Sequence, residues 1–555
     1  MAPLTAHPNL LLLLLASIPL SLHSCIWIDA APIVVPDLSL CQPAIGTSPG
    51  FPGEEQVLDC CLPPTNQDNI KEFSFKDYPI RQKKIRRAAH KASAKYIEKY
   101  NRAYQLMRAL PSDDPRSFAV QANIHCAFCN GAYKQRDTNI TLQVHFSWLF
   151  LPWHRWYIYF HERILGSLLG DPSFALLYWN WDNQVDGGNS LPPLFAVNGS
   201  ALYDRNRDAN ANLGLNASAA PLVRLRIGSA ATLSPSEVIQ ENLNVMYQSM
   251  VTASTADMFM GGAYSAGTDF SNVSADNAPL GGTLELNAHG GIHYWTGDPR
   301  ATLRGDMGVF TTAARDPIFY AHHTNVDRLW EVWKSIPGGR RTNPIDKDFL
   351  DAEFLFFDEN SNLVKVKVRD ALDYEKLGIE YKKAHKGDNQ WLNFEPLPVS
   401  QGSQVEYARM QGAKEMVPFD KQSLDSPKYE LGLNFTALVQ RPQSEKGDDE
   451  EEVLCIQGLE VTQDTFVHLQ VFLNLPQANA STPIVSAEYL GSTNLVPMPA
   501  HSKHLTTNVI LEIGDNIKRI GLQKDEWVVI TILVQTDDPM SASSITIRGM
   551  SIQYH

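Results

Sequence analysis

The residues from His145 to Glu162, HFSWLFLPWHRWYIYFHE, restrict the fold of this chain more than any other stretch. Their aromatic and aliphatic side chains require burial, yet histidines, an arginine and a glutamate interrupt them. Imidazole and charged groups are costly to bury unless they are paired or bound to something. We predict a helix from Phe150 to Gly170, with Pro152 in its first turn, that carries such groups into a core.

Eight of the 16 histidines lie in three groups along the sequence. These groups are His125, His145 and His154 with His161 nearby, then His289 and His293, then His322 and His323. Two histidines four residues apart lie on one helical face, a common metal-binding arrangement. A lone histidine is more often a core residue than a ligand, but the grouping favours a metal centre.

The kind of metal follows from the ligand types, because few carboxylates accompany these histidines. Calcium and magnesium prefer oxygen ligands, and carboxylate-bridged di-iron sites use Glu-x-x-His pairs. Hydrolytic zinc sites usually include a carboxylate or an H-E-x-x-H motif. Two sites of three imidazoles each suit a copper pair, although the spacing alone leaves zinc open.

The chain divides into four regions. Residues 1–30 resemble a secretory signal peptide, residues 31–381 a mainly helical domain with an N-terminal arm, residues 382–414 a linker, and residues 415–555 a β-rich domain. Alternating segments such as TFVHLQVFLNL predict strands of a sandwich or small barrel. Further helices are predicted for 85–110, 235–250, around 289–293 and for 317–333. The basic run from Arg81 to Arg87 is interpreted as a solvated face.

Composition excludes two classes of partner. The formal charge of −14 argues against nucleic acid and anionic membranes. The apolar leader is too short to span a bilayer, so we expect no membrane association after its removal.

The leader and six N-x-S/T sequons predict the secretory pathway, in the vacuole or apoplast. The candidate glycosylation sites are Asn139, Asn198, Asn216, Asn272, Asn434 and Asn479.

Several separated motifs resemble one known family. HFSWLFLPWHRWYIYFHE and RDPIFYAHHTNVDRLW are similar to the two copper-binding signatures of tyrosinases and plant polyphenol oxidases, and HCAFCNGAY and GGIHYWTGDP resemble the plant branch. The resemblance extends from about residue 31 to the C-terminus. It implies a mainly α catalytic domain, a helix bundle that holds a dicopper site with long loops, followed by an all-β sandwich-like C-terminal lid domain.

The resemblance also implies the ligands and the reaction. The first copper would be bound by His125, His145 and His154, and the second by His289, His293 and His323. His322 would lie behind the second site, and His161 would be structural. Such a type-3 dicopper centre uses O2 as co-substrate and converts small phenolic substrates, o-diphenols, to o-quinones.

Cysteine roles follow from the same resemblance. Cys129 would form a thioether bond to His145, which would fix that imidazole. Disulfides would join Cys41 to Cys61 and Cys60 to Cys126. Cys455 is left over and is interpreted as a buried thiol in a strand.

Three further residues match positions near the chemistry. Phe310 matches an aromatic gate above the second copper, and Glu285 matches an acid that orients a water able to deprotonate a phenol. Many relatives carry asparagine where this chain has Gly290. We therefore expect catechol oxidation rather than hydroxylation of monophenols.

The family's C-terminal domain keeps a latent form inactive until an activating protease removes it, which we expect in the linker. Alternatives are a tyrosinase that also hydroxylates monophenols, an oxidase of specialised phenolic biosynthesis, and a haemocyanin-like O2 carrier. Most plant relatives lie in the plastid thylakoid lumen, which is the alternative location.

Overall fold

The computed structural model describes most of the chain. The described residues are 31–47, 55–64, 69–208, 210, 221–228, 232–270, 279–301, 304–383, 387–397, 417–419, 428–444, 446–447, 450–462, 465–497, 504–537 and 544–555. The predicted signal peptide of residues 1–30, the sequons at Asn216 and Asn272, and linker residues 398–414 lie outside them. The structure therefore does not test the predictions made for these segments.

The first part of the chain is helical, as predicted. Its helices are α1 Ala94–Arg108, α2 Phe118–Cys129, α3 Phe150–Leu169, α4 Pro235–Met250, α5 Ala256–Met260, α6 Gly290–Thr296, α7 Ile318–Ser335 and α8 Lys347–Asp351. A π-helical turn, Glu285–His289, leads directly into α6. Short 3-10 turns lie at Leu38–Leu40, Ala89–Lys91, Pro193–Phe195, Ala313–Arg315, Val368–Ala371 and Gln390–Asn393.

Helix α3 runs through the centre of this domain. Of its 20 residues, 16 are buried. The helix ends at Gly170, whose φ of 66° is the left-handed conformation that glycine adopts without steric cost. His161 stacks on Tyr320 with ring centroids 3.6 Å apart, and its Nε2 lies 3.2 Å from the hydroxyl of Tyr104. One helix therefore connects the packing of α1 and α7.

Short strands and two disulfides complete the helical domain. The strands are β1 Ala44–Thr47, β2 Glu55–Leu58, β3 Lys71–Glu72, β4 Lys84–Ala88, β5 Leu177–Tyr178, β6 Glu353–Phe357, β7 Leu363–Lys367 and β8 Ile379–Tyr381. Cys41 is bonded to Cys61, and Cys60 is bonded to Cys126. The second bond ties the N-terminal arm to α2, next to His125. These are the pairings that the family resemblance implies.

Two expectations about residues 81–110 are wrong. Residues 84–88 form a strand that pairs in parallel with β5 and β8, so the helix begins only at Ala94, capped by Ser93. Within the basic run, Arg86 is fully buried rather than solvated. Its guanidinium donates to Glu162 at 3.0 Å and to Asp327 at 3.1 Å, which compensates the buried charge.

The C-terminal part is a β-sandwich, which confirms the predicted fold class. Its elements are β9 Val417–Phe419, β10 Tyr429–Glu430, β11 Asn434–Gln440, β12 Glu452–Thr462, β13 Val467–Leu473, β14 Tyr489–Leu495, β15 His504–Glu512, α9 Gly514–Arg519, β16 Trp527–Thr536, β17 Thr546–Ile547 and β18 Gly549–Tyr554. One sheet has the order β10-β17-β12-β15 with β18 also on β12, and the other β14-β13-β16-β11-β9. Apolar side chains of both sheets form one shared core.

Part of the predicted linker packs on the helical domain. The side chain of Trp391 is fully buried, and its indole N–H donates to Asp182 at 3.2 Å. Asp388 accepts from Asn180 and Asn183, both at 3.0 Å. Among the described residues, no helix combines the length and apolar character needed to cross a membrane.

Candidate metal centre

The structure brings the six predicted ligand histidines together from separate elements. His125 lies on α2, His145 precedes α3, and His154 lies on the first turns of α3. His289 ends the π-helical turn, His293 lies on α6 and His323 on α7. The side chains of all six are at most 2% exposed.

Hydrogen bonds fix the orientation of five of these imidazoles through Nδ1. Backbone carbonyl oxygens accept from four rings: Phe310 from His125 at 3.0 Å, Phe150 from His154 at 2.8 Å, Glu285 from His289 at 3.0 Å, and Met307 from His293 at 2.6 Å. The side-chain oxygen of Gln143 lies 3.3 Å from Nδ1 of His145. Because a carbonyl can only accept, the ring proton is on Nδ1 and the lone pair on Nε2.

Nε2 of these rings lacks a suitable protein partner. Within the described residues, Nε2 of His125, His145, His154 and His323 has no hydrogen-bond partner. Nε2 of His289 and His293 lie 3.1 Å apart, so two lone pairs face each other. Buried acceptors without donors are rare in native proteins. Cations bound at these nitrogens would account for both observations.

Ring distances divide the six imidazoles into two trios. In the first trio, centroids are 5.5 Å apart for His125–His145, 5.7 Å for His125–His154 and 5.2 Å for His145–His154. In the second, they are 4.5 Å for His289–His293, 5.1 Å for His289–His323 and 6.0 Å for His293–His323. His154 and His323 stack across the trios at 4.0 Å. Two adjacent three-imidazole sites result.

His322 also lies near the second trio, but its hydrogen bond excludes it as a ligand. Its Nδ1 accepts the indole proton of Trp181 at 3.1 Å. A neutral imidazole that accepts at Nδ1 carries its proton on Nε2, which leaves no lone pair there for a metal. His323 has no partner at either ring nitrogen within the described residues and is the better ligand.

Burial keeps the imidazoles neutral, as metal binding requires. It lowers the pKa of His154 to about 3 and that of His293 to about 4. Burial also lowers the pKa of His125, His145, His289 and His323 well below the ordinary value, with neighbouring imidazoles adding to the effect. Neutral nitrogen ligands without a carboxylate fit copper.

The predicted thioether partners are close together. Sγ of Cys129 and ring nitrogens of His125 and His145 lie within 4.8 Å of one another. Cys129 and Cys455 are the cysteines without a disulfide among the described residues, and both are buried. The thioether bond between Cys129 and His145 stays a prediction.

Phe310 lies nearer the first trio than the second, and the Glu285 side chain contacts Phe146, the residue after His145. The ring of Phe310 stacks on His145 at 4.2 Å, while its centroid is 6.3 Å from that of His293. One oxygen of the Glu285 carboxyl accepts from the backbone N–H of Phe146 at 2.8 Å, and the other has no partner within the described residues. Burial raises the pKa of Glu285 to about 8. The gate and acid roles stay predictions.

The C-terminal domain docks directly on the π-helical turn before His289. Asn494 of β14 donates to the carbonyl oxygen of Asn287 at 2.7 Å, and Ser492 donates to the side-chain oxygen of Asn287 at 2.6 Å. A Cβ atom added to Gly290 would lie 2.8 Å from that of Asn494, closer than real Cβ contacts. The absence of a side chain at position 290 therefore makes room for the lid.

Sequence reasoning missed the groups that orient the ligands and the lid contacts. Gln143 lies two residues before His145, but nothing in its type or spacing marks it. The carbonyls of Met307 and Phe310 come from a loop without regular structure. Phe310 also donates its backbone N–H to Pro497 of the C-terminal domain at 3.1 Å. No sequence pattern reveals such long-range contacts.

A buried centre of two histidine trios under a β-sandwich defines a type-3 dicopper protein. Three family models match the chain: the common central domain of tyrosinase over residues 115–336, the polyphenol oxidase middle domain over 343–397, and the chloroplastic polyphenol oxidase C-terminal domain over 429–554. The chain belongs to the plant polyphenol oxidases, tyrosinase-family copper oxidoreductases.

Similar proteins carry several names. The latent form of a chloroplastic polyphenol oxidase of Prunus armeniaca is 40% identical over 95% of this chain and 83% of that protein. Aureusidin synthase of Antirrhinum majus is 40% identical over 95% and 89%. Chloroplastic catechol oxidase B of Solanum tuberosum is 37% identical over 94% and 85%.

One solved structure matches most of this chain, and another matches about two thirds of it. Latent apple tyrosinase is 37% identical with a TM-score of 0.75, and the match covers 87% of this chain and 99% of that one. An active aurone synthase is 39% identical with a TM-score of 0.58, covering 64% of this chain and all of that one. A relative of this kind therefore folds with about a third of the present chain missing.

The expected location in the vacuole or apoplast is wrong. Relatives from Prunus, Solanum, Malus and Ipomoea are all named chloroplastic, which points to a plastid. The plastid alternative is compatible with these names. The sequons at Asn139, Asn198, Asn434 and Asn479 are exposed. Their glycosylation was predicted from passage through the secretory pathway, which a plastid location does not support, and it stays a prediction.

Proposed function

We propose that this protein oxidises o-diphenols to o-quinones at a pair of copper ions while O2 is reduced to water. The observation that carries the proposal is the convergence of six neutral imidazoles whose Nε2 atoms, within the described residues, have no hydrogen-bond donor. The first copper would be held by His125, His145 and His154, and the second by His289, His293 and His323.

The copper pair, when bound, takes two electrons from each diphenol and passes four to O2, so two diphenols and one O2 give two quinones and two waters. The chain itself orients the imidazoles through the carbonyls of Phe150, Glu285, Met307 and Phe310 and through Gln143. Its aromatic walls keep water out of the site, which strengthens the electrostatic interactions inside it. Phe310 covers His145 and would guide the substrate ring.

Oxidation of catechols is favoured over hydroxylation of monophenols. A monophenol must lose its proton before it can bind a metal, and Glu285 would be the acid that holds the water taking this proton. The glycine at position 290 supplies no side-chain amide to help hold that water. A tyrosinase activity and a specialised phenolic oxidation remain alternatives, and the relative named aureusidin synthase supports the second.

We further propose that the β-rich domain keeps the enzyme latent. Its contacts at Asn287 and Phe310 cover the π-helical turn that contains His289. They also cover the loop whose carbonyl oxygens orient His125 and His293. Cleavage by an activating protease within residues 382–414, beyond the packed Trp391, would release it. The domain boundaries at 381 and 415 are part of this proposal, as is a plastid location.

Oxygen uptake by the copper-loaded protein, before and after limited proteolysis, tests the proposal with a catechol and its monophenol side by side. Uptake with catechol alone, after cleavage, is the expected result. Uptake with both would show a tyrosinase and remove the argument from Gly290. The absence of uptake with either, despite bound copper, would contradict the oxidase and favour an O2 carrier or a narrow biosynthetic enzyme.

A further inference from the structure

Two backbone carbonyl oxygens of one loop orient a ligand of each trio. Met307 accepts from Nδ1 of His293 at 2.6 Å. Phe310 accepts from Nδ1 of His125 at 3.0 Å. Asp306, which directly precedes Met307, is buried in the same loop. A contact that fixes the side chain of Asp306 therefore also helps to fix a group that orients a candidate ligand.

Asn206 joins Asp306 to a second buried acid, Asp204. The backbone N–H of Asn206 donates to Oδ1 of Asp204 at 2.9 Å, and its side-chain NH2 donates to Oδ2 of Asp306 at 3.1 Å. The other two oxygens, Oδ2 of Asp204 and Oδ1 of Asp306, are buried and have no donor within the described residues. One residue thus holds two carboxyls, each of which keeps one buried oxygen without a donor. Such oxygens are rare in native proteins.

A single proton between the carboxyls satisfies both oxygens. Two ionised carboxylates can only accept, so a hydrogen bond between them requires that one is protonated. Burial is the main cause that raises the pKa of Asp204 to about 8, and the charges of Asp316 and Asp306 add to it. Burial also raises the pKa of Asp306, against hydrogen bonds with Asn206 and Asp204. Like charges at close range favour one retained proton on a carboxyl pair.

Arginines and a third acid also act on this pair. Nε and Nη2 of Arg207 donate to Asp316 at 2.8 Å and 2.6 Å, so this arginine is committed to the third acid. It lowers the pKa of Asp204 less than the two neighbouring acids raise it. The pKa of both acids is raised despite the arginines, so a proton rather than an arginine balances the pair. The other charged groups that act on the pair are Arg108 and Arg315.

We propose that Asp204 and Asp306 share one proton and that this proton positions the metal centre, because it fixes the loop whose carbonyl oxygens orient one ligand of each trio. This inference rests on the proposed copper centre and deepens it by naming two positioning residues. When the proton leaves, two adjacent carboxylates repel each other, and Met307 shifts together with Asp306. The imidazole of His293 then loses the acceptor that orients it.

The expected pH dependence belongs to the folded protein. Below about pH 8 the pair keeps its proton and the loop is fixed, whereas above it the ionised pair loosens the loop. The apparent affinity for Cu(I) should therefore fall about tenfold from pH 7 to pH 9, since release of one proton weakens binding at most tenfold per pH unit. Protonation of the ligands does not contribute, because the pKa of His154 is about 3 and that of His293 about 4.

The test measures the Cu(I) affinity of the full chain at both pH values, by anaerobic competition with bicinchoninate. In Asp306→Asn the amide oxygen can accept from Asn206 while the amide NH2 donates to Asp204, so the contact no longer needs a proton. This variant should bind Cu(I) equally well at pH 7 and pH 9, and so should Asp204→Asn. Asp208→Asn is the matched control, because Asp208 lies in the same segment and accepts from the N–H of Asn210 at 2.8 Å. It should keep the fall in affinity.

Equal Cu(I) affinity of the unmodified protein at pH 7 and pH 9 would overturn the inference. A fall that persists in either Asp306→Asn or Asp204→Asn would also overturn it and point to Glu285, whose pKa burial raises to about 8 as well. Loss of the fall in Asp208→Asn would contradict it too, because the effect would then not be specific to the pair. If the unmodified protein binds no Cu(I) at either pH, the proposed copper centre itself fails, and the inference fails with it.

Discussion

Helix α3 carries two sets of buried polar groups that differ in how far their hydrogen-bonding needs are met. Near its N-terminus, His154 belongs to six imidazoles whose Nε2 atoms have no suitable partner in the part of the chain that the structure describes. Arg155, the next residue, and Glu162, about two turns further along the helix, belong to an ion network with Arg86, Asp327 and Tyr381. There, Arg155 donates to Asp327 at 2.5 Å, and Arg86 donates to Tyr381 at 2.7 Å.

The difference separates a site from a scaffold. The ion network is closed by protein groups, so its charges are compensated without any ligand and serve to join β4, α3, α7 and β8. The histidine trios leave Nε2 atoms without a suitable partner within the described residues. Unpaired ring nitrogens that converge from separate elements, rather than buried polar groups in general, distinguish the candidate metal centre from the ion network.

The largest effect on copper binding and activity is expected from a substitution in the second trio. His323→Asn should remove copper from the second site and lower activity by more than the roughly 10–100-fold that follows loss of a supporting contact. His322→Asn, the neighbouring control, should keep two coppers per chain, because its ring nitrogen is committed to Trp181. Copper analysis and oxygen uptake measure both. Equal copper loss in the two variants would contradict the ligand assignment.

Substitutions in the ion network should lower the free energy of unfolding rather than remove copper. Arg86→Met leaves two buried carboxylates short of their cation and should lower the free energy of unfolding of the helical domain by about 3–5 kcal/mol. Lys83→Met removes a cation from an exposed pair, whose side chains are 69% and 47% accessible, and should cost about 0–1 kcal/mol. Denaturant titration of copper-loaded protein measures this. Similar losses in both variants would mean that burial does not distinguish them.

A pH effect separates the lid from the catalytic domain. Burial lowers the pKa of His468 to about 4, below its ordinary value of 6.5. On acidification the unfolded chain binds this proton first, so stability is complete above pH 6.5 and falls toward pH 4, by about 3 kcal/mol. His468→Gln should flatten this loss. Melting of the β-rich domain from pH 7 to 4 measures it, and identical pH curves would contradict the assignment.

The smallest effect concerns the hydrogen bond between Asn494 of the C-terminal domain and Asn287 of the helical domain, which we call the latch. Asn494→Ala removes the donor to Asn287 and the acceptor for Nδ1 of His468, which lie 2.7 Å and 2.5 Å away. The uncut chain should gain activity about fivefold, since the one lost hydrogen bond between the domains is worth roughly 1 kcal/mol. Gln440→Ala, whose partner Glu526 lies in the same domain, should change nothing. Unaltered latency in Asn494→Ala would exclude this contact as a latch.

Local patterns predicted the parts of the molecule that depend on local sequence. The four-residue spacing of His289 and His293, the run of strands after residue 414 and the aromatic helix α3 are all present. The strand at Lys84–Ala88 was missed because Arg86 finds its partners at Glu162 and Asp327, far away in sequence. Gln143 and the lid residues Ser492 and Asn494 were missed for the same reason. Only the folded chain brings these partners together.

The central claim is that the two unsatisfied histidine trios each hold one copper ion. Anomalous diffraction at the copper edge, from crystals of the copper-loaded chain, tests it most directly. Two peaks are expected, one beside Nε2 of His125, His145 and His154 and the other beside Nε2 of His289, His293 and His323. A single peak, or a second peak bound by His322 in place of His323, would contradict it.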